Sequence, residues 1–523
     1  MIIPFILEKA LSLYEKKEAV ICGENRISYR ELGDRVYRLS NLFKDMGAKR
    51  GDCIAICHQN CHIFLEAYFA AAQIGAILNP LNFRLSPKEL SFILNDSEAK
   101  ILIASEKFKD NIEKCIKGGK TKLSHILWTG KGEVPELLSS LEYERAIKES
   151  SPHISSYPDL SDEDIAHLYY TSGTTGRPKG VVLTHKNVCF HALCAIAELK
   201  ITDQDVWIHV APMFHLADAW ATFSITWVGA RHVMIGEFIP ERVLEVMERE
   251  KVTITNMIPT MLNMLVNTKE IERTDFSSLR VILSGGAPIA PELVKKIMKT
   301  FCCDYIQTYG MTETSPYLTV SILKDNLLAL SEEERFRFKA KTGRPFIGVL
   351  LKVVREDGSE VEHNGKEVGE IIVKGDIVTR GYWRRDEETR KAIKDGWLYT
   401  GDMAVVDSEG YVDIVDRKKD MIITGGENVY SIEVENVLYE HPAVLEAAVI
   451  GVPDSKWGEA VKAVVVLKEG YKVSEDELID FCKQRIARYK APKSIDFVSE
   501  LPKTGSGKIF KKALRDAYRK GEV

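Results

Sequence analysis

The sequence predicts an α/β protein: a large N-terminal domain of parallel sheets with helices plus a β-rich lobe, and a small C-terminal α+β domain. Three observations predict this. Over residues 28–103 and 206–307, short apolar runs alternate with longer helical stretches, the rhythm of helices packed on a mostly parallel sheet. Beyond Lys341, strand-like runs are broken by turns such as Glu356-Asp357-Gly358 and Ser408-Glu409-Gly410, the texture of a β-rich lobe. After Asp416, helical and strand patterns mix in a compact tail. A chain of 523 residues is too long for a single core, and the expected division is 1–416 and 417–523.

Taken in order, residues 27–47 read as a helix after a short strand, 53–57 as a strand, 62–77 as a helix and 100–105 as a strand. Residues 106–160 are polar and read as a surface connection. Apolar runs at 165–170 and 181–184 read as strands, followed by strands at 206–209, 232–235, 253–256, 281–284 and 305–307. Residues 211–230 are the most membrane-like stretch. They open with a proline and hold His215 and Asp218, so they read as a buried helix rather than a span. In the tail, 431–441 and 475–489 read as helices, and 447–452 and 462–469 as strands.

Bulk composition narrows the classes. Hydrophobic content of 45 % and charged content of 28 % are those of a soluble globular protein. A net charge of −5 argues against nucleic acid as a partner, although Lys and Arg are in excess from Asp480 onward. No basic segment precedes the first apolar stretch, so no signal peptide is expected. Ten scattered cysteines form no disulfide framework, which points to a reducing cytoplasm. Cys53, Cys57 and Cys61 lie near His58 and His62, but a strand followed by a helix start keeps the three thiols off one face.

The richest signal is residues 171–180, TSGTTGRPKG. Four hydroxyls, three glycines and Lys179 share one short loop between two strands. Hydroxyls and backbone N–H groups cradle phosphate oxygens, and glycine lets the backbone come close. The alternative is a polar hairpin turn. A P-loop is excluded by spacing. Around Gly505-Ser506-Gly507-Lys508, Pro502 holds the first glycine position and Ile509 replaces the Ser or Thr. Neither GxGxxG nor GxSxG occurs.

Five further segments carry chemistry. Ser284-Gly285-Gly286-Ala287-Pro288 offers a small-residue ledge for a flat ring, or simply a strand-to-helix turn. Tyr309-Gly310-Met311-Thr312-Glu313-Thr314 combines an aromatic face, a hydroxyl and a carboxylate suited to Mg²⁺. Tyr399-Thr400-Gly401-Asp402 ends on a carboxylate suited to a ribose diol, or on a common turn. Asp416-Arg417-Lys418-Lys419-Asp420 is a charged break between apolar strands, and residues 502–508 form a loop ending in Lys508.

In this order and spacing, from near Ile27 to Arg515, the segments resemble the adenylate-forming acyl-CoA synthetases, the superfamily that also holds firefly luciferases and peptide-synthetase adenylation domains. The resemblance implies ATP, Mg²⁺ and coenzyme A. It implies that Thr171, Ser172, Gly173, Thr174, Thr175, Gly176 and Lys179 hold the β- and γ-phosphates. Gly286, Ala287, Pro288, Tyr309 and Gly310 would receive the adenine. Thr312 would contact the α-phosphate, Glu313 would ligate the metal, and Asp402 and Arg417 would bind the ribose. Lys419 falls on the interdomain hinge, and Gly425, Gly426 and Glu427 on the pantetheine loop. Lys508 matches the catalytic lysine of adenylation. Ser431 and Phe510 depart from the family's usual residues.

By the same resemblance, an acid attacks the α-phosphorus of ATP to form an acyl-adenylate, and the thiol of coenzyme A then displaces AMP. His215 and Trp220, with Gly285 and Met311, are expected on the acid side, and His215 is counted with the catalytic residues. The flanking Met213, Phe214, Phe223, Trp227, Met257 and Met261 fit either an apolar tail or plain core packing. A medium- or long-chain fatty acid is the expected substrate, with an alicyclic or aromatic acid as the alternative. An ATP-binding regulatory protein without turnover is the alternative of another class. The expected assembly is a monomer or homodimer without a membrane span.

Overall fold

A computed structural model describes every residue except 119–120, 131, 133, 154–157, 172–177, 288, 290, 426, 455, 504–508 and 521–523. The chain forms two compact units. The first comprises Met1–Leu350 and Val373–Leu398, the second Leu351–Ile372 and Tyr399–Val523. The α/β class is as expected, with two large, mostly parallel sheets in the first unit.

The seven-stranded sheet runs Ser139–Glu142, His125–Thr129, Ile101–Ser105, Cys53–Cys57, Ile77–Pro80, Ile165–Thr171 and Lys179–Thr184. All neighbours are parallel except the last pair, which is antiparallel. The nine-stranded sheet has Val281–Gly285 and Asp304–Gly310 side by side and parallel, with Tyr317–Val320 antiparallel beyond them. Parallel strands covered by helices carry near-continuous apolar runs, which is why Cys53–Cys57 and Ile101–Ser105 are buried along their whole length.

The helix His62–Gln73 is buried from Ile63 to Gln73, an all-round apolar helix that belongs inside a core. Its one carboxylate, Glu66, is paired with Arg35 at 2.7 Å and accepts the Tyr143 hydroxyl at 2.7 Å, as a buried charge requires. The helix stops four residues earlier than the pattern predicts. Gly75, at φ +70°, turns the chain into the strand Ile77–Pro80.

Two helix starts are set locally. Ser28 and Glu31 form a capping box for Tyr29–Asp45, and Thr184 and Asn187 form one for His185–Leu199, each worth about 1 kcal/mol. The Asn187 amide also donates to the carbonyls of Asp376 (2.7 Å) and Val378 (3.0 Å), which fixes the turn after the strand Gly369–Lys374 against this helix.

Residues 106–160 are not a mere surface connection. Two helices, Lys109–Lys117 and Tyr143–Glu149, and two strands lie there, and His125–Thr129 is inserted in the parallel sheet. Five fully pairing residues among polar neighbours show no alternation, so only tertiary pairing reveals them. Residues 211–230 hold two short buried helices, Leu216–Ala219 and Ala221–Trp227. Among the described residues no helix is long and apolar enough to cross a membrane.

The second unit contains the hairpin Val444–Asp454 with Gly458–Leu467, the strand Ser494–Phe497 parallel to it, and the helices Ser431–Tyr439 and Glu475–Lys483. Ser431 is fully buried. Its N–H donates to Asp416 Oδ2 (2.5 Å) and its hydroxyl accepts from Lys511 Nζ (2.7 Å), and a proline could donate no such bond.

Candidate active site

In the first unit, Thr171 and Lys179 face each other across the antiparallel pair Ile165–Thr171 and Lys179–Thr184. Ser172, Gly173, Thr174, Thr175 and Gly176 lie outside the described residues. Lys179 Nζ is 2.6 Å from Glu388 Oε2 and 4.8 Å from the centre of the Tyr382 ring. The Tyr382 hydroxyl donates to Glu313 Oε1 at 3.0 Å. Burial, then the charge of Glu313, pushes the Tyr382 phenol up, so it stays protonated and remains a donor.

Glu313 sits on the one-turn helix Thr312–Thr314 and is 7 % exposed. Its carbonyl accepts from the Thr379 N–H at 2.7 Å. The segment carrying Tyr382 is stitched to the strand after Lys179: Val182 N–H donates to Gly381 O (3.1 Å) and Trp383 N–H to Gly180 O (2.8 Å). Lys179 and Glu313 are thereby brought onto the two sides of one phenol.

The adjoining strand ends explain two glycines. A Cβ on Gly285 would lie 2.5 Å from Thr308 Oγ1, and one on Gly310 would lie 1.8 Å from the Pro316 carbonyl oxygen. Both positions exclude any side chain. Gly286 follows at φ +85°, and the Ala287 carbonyl accepts from the Gln307 amide at 2.9 Å. Tyr309, half-buried, pairs with Thr319, and the Met311 N–H donates to Pro316 O at 3.1 Å. Pro288 lies outside the described residues.

Among the described residues, no group of three or more His, Cys, Asp or Glu side chains is arranged to hold a metal. Glu313 is a single buried carboxylate with hard oxygen chemistry. That suits Mg²⁺, which takes one or two protein carboxylates and completes its octahedron with water and phosphate oxygens.

The acid-side residues stand elsewhere in the same unit. His215 precedes Leu216–Ala219, half-buried, its ring 4.5 Å from that of Phe214. Trp220 is 2 % exposed and packs among Trp207 (5.1 Å), Tyr317 (5.1 Å) and His191 (5.5 Å). Tyr317 pairs with Gly310, so the indole lies behind the nucleotide-side strand. Met213, Phe214, Phe223, Trp227 and Met257 are buried core residues.

Sequence reasoning missed a buried polar chain here. Asp218 accepts from Trp207 Nε1 (3.2 Å) and from His209 Nδ1 (2.6 Å). His209 Nε2 meets His232 Nδ1 at 3.0 Å, and His232 Nε2 meets Thr226 Oγ1 at 3.0 Å. Every ring nitrogen of the two histidines thus has a hydrogen-bond partner within the chain. Burial and the neighbouring His209 hold His232 well below its ordinary range, which agrees with a neutral ring. Tyr382 and Glu388 were also missed, because nothing local marks either.

In the second unit, Asp402 and Arg417 are paired across antiparallel strands, Oδ1 to Nε at 3.0 Å. Lys419 follows in a turn, and burial, then the charge of Arg417, lowers its ammonium pKa. Asp420 is 2.6 Å from Arg515. Gly425, at φ +60°, packs against Trp457 and donates its N–H to that residue's carbonyl at 2.8 Å. Glu427 opens the short strand Glu427–Val429. Gly426 and Lys508 lie outside the described residues, the latter between the bridged Lys503 and Ile509.

Comparison with known proteins shows the family. Residues 7–383 match the AMP-binding enzyme family, and residues 433–508 match the AMP-binding enzyme C-terminal domain. A long-chain-fatty-acid–CoA ligase of Thermus thermophilus is 38 % identical over 523 residues, covering 98 % of this chain and 95 % of that one. A feruloyl-CoA synthase of an Amycolatopsis species is 37 % identical over 501 residues, covering 96 % of each. The crystal structure of ATP-bound MatB from Rhodopseudomonas palustris superposes with a TM-score of 0.87 at 30 % identity, covering all of both chains. The chain therefore belongs to the AMP-binding enzyme family, as an adenylate-forming acyl-CoA synthetase, an acid–thiol ligase.

Proposed function

We propose that the protein is an ATP-dependent carboxylic acid:CoA ligase that forms AMP and pyrophosphate and acts on a medium- or long-chain fatty acid. The observation that carries the nucleotide half is the pairing of Lys179 and Glu313 on one phenol, beside a loop with four hydroxyls. An ammonium over the ring and a carboxylate on the hydroxyl of the same phenol suit a triphosphate with its cation.

In this reading the acid's carboxylate attacks the α-phosphorus and pyrophosphate leaves. The thiol of coenzyme A then attacks the acyl carbon and AMP leaves. Two anions must meet in the first step, so Lys508 and Lys179 stabilise the charge that builds on the phosphate oxygens. Mg²⁺, held by Glu313, supplies further positive charge there when bound. Thr312 orients the α-phosphate, Asp402 and Arg417 the ribose, and Gly425, Gly426 and Glu427 line the thiol's approach. The chain divides at 416 and 417, with Lys419 as the hinge that presents Lys508 and then the Gly425 loop. The location is the cytoplasm, which the ten cysteines without a disulfide framework support.

Support for a fatty acid comes from residues 211–230, which hold no Lys or Arg to receive a second carboxylate. The similarity to a feruloyl-CoA synthase keeps an aromatic acid as the second reading. Pyrophosphate release with octanoate, palmitate, cyclohexanecarboxylate, benzoate and ferulate tests both. The highest kcat/KM is expected with octanoate or palmitate. A preference for ferulate replaces the fatty-acid reading with the aromatic one, and no release with any acid overturns the ligase.

A further inference from the structure

We propose that Tyr382 is a positioning residue for the triphosphate site, its hydroxyl fixing the metal-binding carboxylate of Glu313 and its ring face holding the ammonium of Lys179. The proposal rests on the reading of Glu313 and Lys179 as partners of the nucleotide's phosphates. It adds a residue that stands some seventy positions from one and two hundred from the other, and that no motif marks.

The geometry is specific. The hydroxyl donates to Glu313 Oε1 at 3.0 Å, so one oxygen of the carboxylate is oriented before any cation arrives. The same ring lies 4.8 Å from Lys179 Nζ. An ammonium over an aromatic face is attracted by the ring's quadrupole, more strongly where water is thin. Lys179 is largely buried, and its ammonium is also held by Glu388 at 2.6 Å. A triphosphate taking Lys179 exchanges that carboxylate for phosphate oxygens while the ring keeps the ammonium in place.

Tyr382 is itself held by more than its side chain. Its N–H donates to Thr389 Oγ1 at 3.0 Å, and its backbone forms an antiparallel bridge with Val181, two residues beyond Lys179. The phenol is thus built on the strand that carries one phosphate partner and bonded to the turn that carries the other. A ligand seated against both would feel any displacement of this ring. Removing the hydroxyl alone should loosen the carboxylate and leave the ammonium over the ring; removing the ring should loosen both.

Direct binding separates these effects without turnover. ATP is titrated calorimetrically, with no acid present, into the full chain in Mg²⁺ and in EDTA. Tyr382→Phe is expected to weaken MgATP binding by about tenfold, the scale of one hydrogen bond to a charged group, and to leave metal-free ATP binding unchanged. Tyr382→Leu is expected to weaken both. In pyrophosphate exchange, Tyr382→Phe should raise the Mg²⁺ concentration for half-maximal rate more than it lowers the rate at saturating Mg²⁺. MgATP binding equal to wild type in Tyr382→Phe overturns the proposal, as does an equal loss with and without Mg²⁺, which marks a merely structural ring. Glu313→Gln is the control for the underlying reading. It should abolish the gain from Mg²⁺, and full retention of that gain removes Glu313 as the metal ligand and the proposal with it.

Discussion

Two regions of the first unit solve opposite problems. On the side we assign to the phosphates, the Lys179 ammonium is held by Glu388 and the Tyr382 ring, and the Tyr382 hydroxyl donates to the Glu313 carboxylate. In the segment from His215 to Trp227, Asp218 and Thr226 are joined through His209 and His232 in one fully buried hydrogen-bonded chain. A charged group meant for a ligand must be releasable, whereas a wall must leave nothing unsatisfied, since a buried unpaired polar group costs about 1–3 kcal/mol. The same unit therefore presents a soft electrostatic edge and a hard packed one.

The largest expected effect tests the hard edge. Trp220 fills a cluster with Trp207, Tyr317 and His191, so Trp220→Ala should destabilise the fold by about 3–5 kcal/mol in denaturant unfolding. A variant of near-native stability whose KM for the acid rises steeply would make Trp220 part of a gate and dissolve the contrast.

Lys508→Ala tests the charge proposed for adenylation. Loss of one preorganised charge should slow adenylation by about 10²-fold or more, roughly 3 kcal/mol, while a supplied acyl-adenylate is still converted to thioester. Adenylation at the wild-type rate from acid and ATP would refute the role of Lys508.

Counted per residue and per pH unit, the smallest effect is the pH dependence of the packed interior. Burial lowers His58 and His185 to about 4, and His167 and His191 to about 3, against an ordinary 6.5. The unfolded chain takes up these protons below 6.5 and the folded chain does not until near 4. Stability should therefore fall between pH 6.5 and 4, by up to about 1.4 kcal/mol per pH unit for each such histidine. His62 does not offset this. Burial opposes its charge, but hydrogen bonds to Cys22 and Glu144 and the charge of Glu66 raise it to about 10, so it is protonated in both states over that window. Urea unfolding at pH 7, 6 and 5 measures the slope. Equal stability at pH 7 and pH 5 would mean the histidines are not held neutral.

The contrast also explains what was legible. TSGTTGRPKG, the Tyr309–Thr314 segment and Gly285–Gly286 are each short unbroken runs, and at Gly285 and Gly310 an added Cβ would lie 2.5 and 1.8 Å from a neighbouring oxygen. Tyr382 reaches Glu313 and Lys179 only through the fold, and nothing local marks it. The strand His125–Thr129 was hidden for a similar reason. Its pairing partners, Ile101–Ser105 and Ser139–Glu142, satisfy its backbone, but nothing in its own residues announces them.

By itself the sequence determined the α/β class and, through the resemblance its short motifs carry, the family. These rest on periodicity and on short runs whose spacing is their meaning. Only the tertiary structure decided that a phenol joins Lys179 to Glu313, that Trp220 is walled in by rings, and that Asp218 ends a chain of two histidines. Each of these is a contact between residues far apart along the chain or hidden within a packed core, and such contacts exist only once the sheets and helices have closed around them.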